Sequence, residues 1–323
     1  MADTLLEVRD LQTHFDTRRG VVRAVDGATF SVRRGETLGI VGESGSGKSM
    51  TCLSILRLVP EPGGRIVGGS IVFDGEDLLA KSREEMRRLR GSRIAMILQD
   101  PMASLNPALT VGAQIAETLT LHRGLRGRAL DARVLELLRQ VRISDPDRRV
   151  HAYPHQMSGG IRQRVAGAIA ISCQPSLLIA DEPTTALDVS IQAQIIALLK
   201  RLAQSRGTAV MLITHDMGVI AETAHRVAVM YAGRIVEVGP VREVIHSPRH
   251  PYTAGLMGSI PKIQTSGEKA RLVQIDGAMP RLGAVPAGCA FHPRCPKRFA
   301  RCEAERPDLL PAGASRAACW LHA

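Results

Sequence analysis

A glycine-rich segment of the chain places a lysine and a serine where they could handle a phosphate chain. The pattern G-x-x-x-x-G-K-S runs from Gly42 to Ser49 and follows an apolar stretch. The backbone N–H groups of such a loop can point into one concavity and hold phosphate oxygens. Lys48 would reach the β- and γ-phosphates, and the Ser49 hydroxyl would bind Mg²⁺. The residues predicted to bind are Gly42, Ser44, Gly45, Ser46, Gly47, Lys48, Ser49 and Met50.

Two adjacent carboxylates follow a second apolar stretch, at residues 177–180. Asp181 is predicted to help hold Mg²⁺, as the acidic partner of a phosphate loop does. Glu182 is predicted to polarise an attacking water molecule. A solvated acidic strand end is the common alternative for an isolated Asp-Glu pair, but here a glycine loop lies upstream. The two motifs together predict hydrolysis of a nucleoside triphosphate.

Strands and helices alternate around these residues. The strand at 37–41 leads through the glycine loop into a helix at 48–58, and a helix begins at Ser82 with Glu85 placed for a capping box. The pattern is helical from about 108 to 172 and predicts an inserted helical subdomain at about 100–172. Other predicted strands lie at 5–11, 21–25, 28–32, 70–73, 93–98, 177–180, 209–214, 227–231 and 234–238, with helices at 189–204 and 217–224. This alternation is typical of a mainly parallel, covered α/β sheet.

Composition limits the classes of partner. The net charge is +11, which could suit nucleic acid or anionic lipid headgroups, but aromatic residues make up only 3% of the chain. The chain therefore has few aromatic side chains for stacking on bases, and we expect no nucleic-acid partner.

No apolar run approaches the roughly 20 residues that span a bilayer, and the first residues do not resemble a signal peptide. We therefore expect a soluble protein of the cytosol.

A third motif narrows the kind of hydrolase. Met157-Ser158-Gly159-Gly160-Ile161 resembles the Leu-Ser-Gly-Gly-Gln signature of ATP-binding cassette (ABC) ATPases, with Met157 in place of Leu and Ile161 in place of Gln. The resemblance implies that Ser158, Gly159 and Gly160 open a helix and contact the γ-phosphate of an ATP held by another subunit. A helix N-terminus is a suitable site for an anion.

Three single residues match further features of ABC ATPases. The resemblance implies that Gln99 contacts Mg²⁺ and water, that Asp188 communicates across a dimer, and that His215 touches the γ-phosphate and positions Glu182. Such ATPases usually stack adenine on an aromatic residue ahead of the glycine loop, and Phe15 is the candidate. ATP and Mg²⁺ are the implied cofactors.

The C-terminal tail resembles the extension of ATP-binding subunits of oligopeptide and dipeptide importers. The similarity lies in 250–256, in 288–296 and in four cysteines, and residues 99–107 also match that subfamily. The resemblance implies a [4Fe–4S] cluster on Cys289, Cys295, Cys302 and Cys319; zinc or no metal stays open. Arg294, Lys297, Arg298 and Arg301 lie among these cysteines and are predicted to lower the pKa of their thiols.

The resemblance covers essentially the whole chain. It implies a P-loop NTPase fold of the ABC type, with a RecA-like core sheet, a small antiparallel β region and the helical subdomain (about 100–172) within residues 1–240. Residues 241–323 form the cysteine-containing extension. The implied function is ATP-driven import of oligopeptides or dipeptides, at the cytoplasmic face of the membrane. Import of nickel or another small solute, and a soluble ABC ATPase acting on nucleic acid, are the alternatives.

Only one set of motifs is present, yet the signature must act on a neighbour's nucleotide. The resemblance therefore implies a second ABC ATPase subunit, here expected to be a paralogue. It also implies two transmembrane permease subunits, which dock near Gln99 and the helical subdomain, and an extracellular substrate-binding protein that acts through them.

Overall fold

The computed structural model describes residues 3–100, 104–184, 189–259 and 274–323, and its contacts divide the chain into two compact units. We call the first the helical unit; it consists of residues 1–5, 33–37 and 80–213. We call the second the tail unit; it consists of residues 6–32, 38–79 and 214–323. The predicted boundary near residue 240 stays a prediction. No helix in the described ranges is long and apolar enough to cross a bilayer.

An antiparallel sheet forms one part of the tail unit. Its strands are β1 (Thr4–Thr17), β2 (Gly20–Arg33), β4 (Gly64–Phe73) and β5 (Glu76–Asp77), in the order β2-β1-β4-β5. β1 pairs with β4 from Leu6 opposite Phe73 to Phe15 opposite Gly64. β2 is one continuous strand, although the sequence predicts two short ones, and β4 begins at Gly64, ahead of the strand predicted at 70–73. Glycines lower strand propensity, but pairing with β1 extends β4 through them.

A second sheet in the tail unit carries the glycine loop. β3 (Thr37–Val41) pairs in parallel with β9 (Arg226–Tyr231), and β10 (Arg234–Pro240) is antiparallel to β9. A C-terminal hairpin, β11 (Leu310–Ala312) and β12 (Ser315–Ala317), continues this sheet because β12 pairs with β10. The helices of this unit are α1 (Lys48–Ile55), α8 (Met217–Thr223), α9 (Val241–His246), α10 (Pro251–Gly258) and α11 (Ala300–Ala304).

The helical unit contains a parallel three-stranded arrangement with the order β8-β7-β6. These strands are β6 (Ile94–Ile97), β7 (Leu177–Asp181) and β8 (Ala209–Ile213), and every residue of β7 and β8 is buried. Continuous burial on both faces is expected of parallel strands covered by helices. The sequence prediction of these three buried strands is confirmed.

Helices make up the rest of the helical unit. They are α2 (Arg83–Leu89), α3 (Val111–Arg123), α4 (Gly127–Gln140), α5 (Pro146–Arg149), α6 (Gly159–Ile171) and α7 (Val189–Arg206). Ser82 and Glu85 form the predicted capping box at α2. The consecutive helices α3 to α6 agree with the helical block predicted from the sequence.

Candidate active site

The glycine loop connects β3 to α1 and adopts a shape that only glycine allows at two points. Gly42 has a φ of 155°, and a Cβ there would lie 2.2 Å from the carbonyl oxygen of Met230. Gly47 has a φ of 105°, and its Cβ would lie 2.5 Å from the carbonyl oxygen of Ala24. Backbone atoms cannot yield as a flexible side chain can. The two flanking glycines are therefore required by packing as well as by backbone conformation.

Lys48 closes the loop upon itself. Its ammonium group donates to the carbonyl oxygens of Gly42, at 2.8 Å, and Glu43, at 3.0 Å. The lysine is buried, whereas Ser44, Gly45 and Ser49 are exposed on the loop and at the start of α1. A cation is thus held at the centre of a loop whose outer residues can meet a ligand, which is the arrangement a phosphate chain requires.

Two side chains of the tail contact the loop, and both were missed by the sequence analysis. The Tyr252 hydroxyl accepts a hydrogen bond from the Glu43 backbone N–H at 2.9 Å. The Arg294 guanidinium pairs with the Glu43 carboxylate at 3.1 Å. Tyr252 lies 209 positions and Arg294 251 positions from Glu43 in sequence. Local spacing carries no signal for such contacts, although the resemblance of 250–256 and 288–296 to an importer extension marks both segments as distinctive.

Asp181 and Glu182 lie at the carboxyl end of β7, as predicted. Asp181 is 4% exposed. Glu182 has a φ of 45°, a value uncommon for a residue with a Cβ, and its backbone N–H donates to the Ile213 carbonyl at 2.9 Å. The Gln99 side-chain amide donates to the Glu182 carboxylate at 3.1 Å. Glu182, Gln99 and His215 are the residues predicted to be catalytic, and the structure brings Gln99 and Glu182 into direct contact.

The signature residues lie at the start of α6. Ser158 is the N-cap residue, but its hydroxyl makes no capping hydrogen bond, and Ser158 and Gly159 are exposed. Met157, which replaces the usual leucine, is buried. Gln163 on the same helix donates to the Pro183 carbonyl at 2.9 Å, one residue beyond Glu182. The helix N-terminus implied by the resemblance is present, with its serine hydroxyl not used in capping.

The remaining predicted nucleotide contacts are less completely described. His215 is exposed, just ahead of Asp216, whose carboxylate caps α8 by accepting from the N–H groups of Gly218 and Val219. Phe15 is half-buried on β1, and a Cβ on Gly64 would lie 2.6 Å from its ring. Asp188 lies outside the described residues, as do positions 101–103 of the 99–107 segment.

The four tail cysteines line one pocket, together with His250 and His292. None is in a disulfide, Cys302 and Cys319 are buried, and the Cys289 N–H donates to the Cys302 carbonyl at 2.9 Å. Sulfur donors of this number fit a cluster or zinc by their chemistry. Among the described residues, however, no group of three or more His, Cys, Asp or Glu side chains is arranged to hold a metal ion.

The prediction that neighbouring basic residues lower the thiol pKa values has the right sign for Lys297 and Arg298 at Cys295, but the net pKa of three of the four thiols is raised. Burial raises the pKa of Cys289 to about 11 and also raises the pKa of Cys295 and Cys319. At Cys295, Lys297 and Arg298 act to lower the pKa, but desolvation outweighs them. Desolvation therefore favours the neutral form of the Cys289, Cys295 and Cys319 thiols.

A phosphate-binding loop between a strand and a helix, and a carboxylate pair after a parallel strand, define a P-loop nucleotide hydrolase. The family model described as "ABC transporter" matches residues 25–185, and the one described as "Oligopeptide/dipeptide transporter, C-terminal region" matches residues 236–302.

A solved dimeric structure of the ATP-binding cassette MJ0796, in a post-hydrolysis state bound to ADP and Pi, is similar to this chain, with a TM-score of 0.67. It is 27% identical in sequence, over 74% of this chain and 99% of that chain.

Several relatives match nearly the whole chain. The oligopeptide transport ATP-binding protein AppD of Bacillus subtilis is 48% identical over 99% of this chain and 97% of the relative. The dipeptide transport ATP-binding protein DppD of Escherichia coli is 50% identical over 94% of this chain and 92% of the relative. The chain belongs to the ABC transporter ATP-binding family and is an ABC-type ATPase of its oligopeptide/dipeptide branch. The predicted P-loop fold of the ABC type is confirmed.

Proposed function

We propose that this chain is the ATP-binding and hydrolysing subunit that drives import of oligopeptides or dipeptides through separate permease subunits. The observation that carries the proposal is the near full-length similarity to AppD and DppD, whose names describe oligopeptide and dipeptide transport. The match of residues 236–302 to the C-terminal region of such transporters supports the same substrate class.

ATP binds at the glycine loop in this proposal. Lys48 contacts the β- and γ-phosphates while the carbonyl oxygens of Gly42 and Glu43 hold its ammonium group. The N–H groups from Ser44 to Met50 contact the phosphate chain, and Phe15 stacks on adenine. Ser49, Asp181 and Gln99 offer only oxygen donors, a set that fits Mg²⁺. A bound Mg²⁺ ion supplies charge neutralisation to the phosphates.

Glu182 acts as the general base for the attacking water. Gln99 donates a hydrogen bond to this carboxylate and so restricts its orientation, and His215 is assigned to the γ-phosphate and to positioning Glu182. The positive φ of Glu182 supports a functional role, because strained backbone is retained where the surroundings over-determine it. Replacing Glu182 by Gln is expected to stop turnover and to trap a closed, ATP-bound dimer.

The partners follow from the signature. Ser158, Gly159 and Gly160 contact the γ-phosphate held by a second ABC ATPase subunit, a paralogue of this chain, and Asp188 communicates across that dimer. The position of Ser158 at a helix N-terminus, with its hydroxyl making no capping hydrogen bond, supports this role. Two transmembrane permeases dock near Gln99, at the cytoplasmic face of the membrane, and an extracellular binding protein delivers the peptide. No nucleic acid takes part.

Two domains are proposed on the same basis. Residues 1–240 form the nucleotide-binding domain, with the helical subdomain at about 100–172, and residues 241–323 form the extension. Within the extension, Cys289, Cys295, Cys302 and Cys319 hold a [4Fe–4S] cluster that staples a segment rich in proline. Support comes from the shared pocket and the unpaired state of the four thiols.

The cluster is tested by purifying the full chain without oxygen. We expect a brown protein with about four iron and four sulfide per chain, and loss of the colour in Cys295→Ser. Cys173→Ser, which changes a buried cysteine of the helical unit, should keep it. A colourless protein with stoichiometric zinc, or with no metal, would contradict the cluster.

The transport function is tested with the chain co-purified with its partner subunits and reconstituted in vesicles. Labelled dipeptides and oligopeptides should accumulate only when ATP is supplied on the side that faces this chain, and Lys48→Ala should abolish uptake. Uptake of Ni²⁺ without peptide would assign the chain to nickel import instead. ATP hydrolysis that responds to DNA or RNA and to no transported solute would overturn transport altogether.

A further inference from the structure

The contacts of Tyr252 and Arg294 with Glu43 make the C-terminal tail a direct neighbour of the phosphate loop. Both side chains are well buried: Tyr252 is fully buried and the Arg294 side chain is 7% exposed, while that of Glu43 is 28% exposed. One contact fixes a backbone N–H of the loop and the other fixes a carboxylate. Neither residue belongs to a nucleotide-binding motif.

An aromatic cluster holds the two side chains in place. The rings of Tyr231, Tyr252 and Phe291 pack edge to face or tilted, with centroids 4.6 to 5.4 Å apart. The Arg294 guanidinium lies 5.9 Å from the ring centres of Tyr231 and Phe291, and its Nε donates to the Asp276 carbonyl at 2.9 Å. Because the guanidinium is already fixed by these contacts, little rotamer entropy is lost in holding Glu43.

Without a positively charged partner, the Glu43 carboxylate would weaken binding of a triphosphate. It belongs to the second residue of the loop, and a negative charge there repels the negative phosphate chain. Arg294 neutralises this charge. The paired arginine therefore favours ATP binding although it need not touch the nucleotide.

Glu43 also sets the position of the phosphate-binding lysine. The Lys48 ammonium donates to the carbonyl oxygens of Gly42 and Glu43. The Tyr252 hydroxyl fixes the N–H of the same Glu43, so the peptide groups on both sides of this residue are held. A change at Tyr252 therefore affects the backbone of Glu43, and through the Glu43 carbonyl oxygen it affects the position of the Lys48 ammonium group.

We propose that Arg294 and Tyr252 are positioning residues for ATP, and that the C-terminal extension is part of the nucleotide-binding machinery. This inference rests on the proposed ATP-binding function of the loop and extends it to residues outside the cassette motifs. It requires that the tail act on affinity for the triphosphate, and not only on the stability of the fold.

The test is calorimetric titration of the full-length chain with MgATP. Arg294→Gln should raise the Kd about tenfold, because an uncompensated carboxylate then faces the phosphates. Adding Glu43→Gln should bring the Kd back to within about threefold of that of Glu43→Gln alone, since the charge that needed a partner is gone. Tyr252→Phe, which keeps the ring, should raise the Kd about threefold through loss of one hydrogen bond.

The matched control is Arg242→Gln, which removes an equal charge from an exposed position of the same tail and should leave the Kd unchanged. Wild-type affinity in Arg294→Gln would overturn the inference, as would failure of Glu43→Gln to rescue it, which would indicate general damage to the fold. A wild-type chain that binds no ATP would contradict the proposed function itself. Equal ATP affinity in the wild type and all variants would contradict only the role given to Arg294 and Tyr252.

Discussion

The backbone of the phosphate loop is constrained at particular residues, and this makes some glycines irreplaceable. Gly47 faces a backbone carbonyl at a distance that no Cβ tolerates, whereas Gly45, also at positive φ, has open space around it. The two positions share a sequence context but differ in packing. Substitutions at these glycines therefore separate steric from conformational requirements.

Gly47→Ala is expected to abolish ATP binding, because the loop must move to relieve the contact with the Ala24 carbonyl. Gly45→Ala should cost about 1 kcal/mol of backbone strain, equivalent to a few-fold weaker binding. Titration of each full-length variant with MgATP compares them. Equal losses at the two positions would show that the packing described for Gly47 does not govern the loop.

Gln99 is predicted to act through the Glu182 carboxylate. Gln99→Ala removes the hydrogen bond that orients this group, so turnover should fall about tenfold or more while the Kd for ATP changes little. Steady-state hydrolysis by the intact transporter, with ATP binding measured in parallel, provides the comparison. Leu98→Ala, at an exposed neighbouring position, is the matched control. Unchanged turnover in Gln99→Ala would remove Gln99 from the catalytic set.

Residues of the phosphate loop and of the carboxylate pair could be predicted because their chemistry is encoded by local spacing. Gly42 to Ser49, and Asp181 with Glu182, each lie in one short segment between recognisable elements. The Glu43 contacts could not be predicted, because Tyr252 and Arg294 reach the loop only after the tail has folded. The thiol pKa values were misjudged for a similar reason, since burial of the pocket is not visible in sequence.

At the scale of elements, a buried carboxylate joins the core sheet to the helix that carries Tyr252. Glu237 on β10 is fully buried, and its two oxygens accept from the backbone N–H groups of Arg249 and His250 at 2.9 and 2.8 Å. His250 in turn caps α10 by accepting from the Tyr252 N–H at 3.1 Å. The sequence predicted β10 as a strand, but not that one of its acidic residues would fix the start of a helix.

Glu237→Gln is expected to destabilise the tail unit by about 1–3 kcal/mol, because a side-chain NH₂ group then faces a backbone donor and one hydrogen bond is lost. Thermal unfolding of the full chain measures the effect. Glu303→Gln, an exposed change of the same kind, should leave the transition temperature unaltered. Matching transition temperatures for wild type and Glu237→Gln would contradict the role given to this carboxylate.

The C-terminal hairpin is the element that sequence analysis described least well. No strand beyond residue 238 is predicted from the sequence, yet β12 pairs with β10 through Glu237 opposite Ala317 and Val238 opposite Arg316. Three-residue strands carry too little periodicity to be recognised in sequence. Their pairing depends on an edge that only the folded β10 provides.

At the scale of the whole molecule, the predicted chemistry is divided between the two units. The phosphate loop, His215 and the cysteine pocket belong to the tail unit, and Gln99, Glu182 and Ser158 belong to the helical unit. Each unit therefore carries part of the residues predicted for ATP hydrolysis, an activity that membership of the ABC transporter ATP-binding family supports.

The most direct test of this account is ATP hydrolysis by the purified transporter complex with single changes in this chain. Glu182→Gln should lower the rate to that of a Lys48→Ala complex, because either change stops hydrolysis at this chain's loop. The two variants should differ in binding: Glu182→Gln retains as much ATP as wild type, whereas Lys48→Ala loses the ATP of this chain. A Glu182→Gln complex that hydrolyses ATP at the wild-type rate would contradict the account.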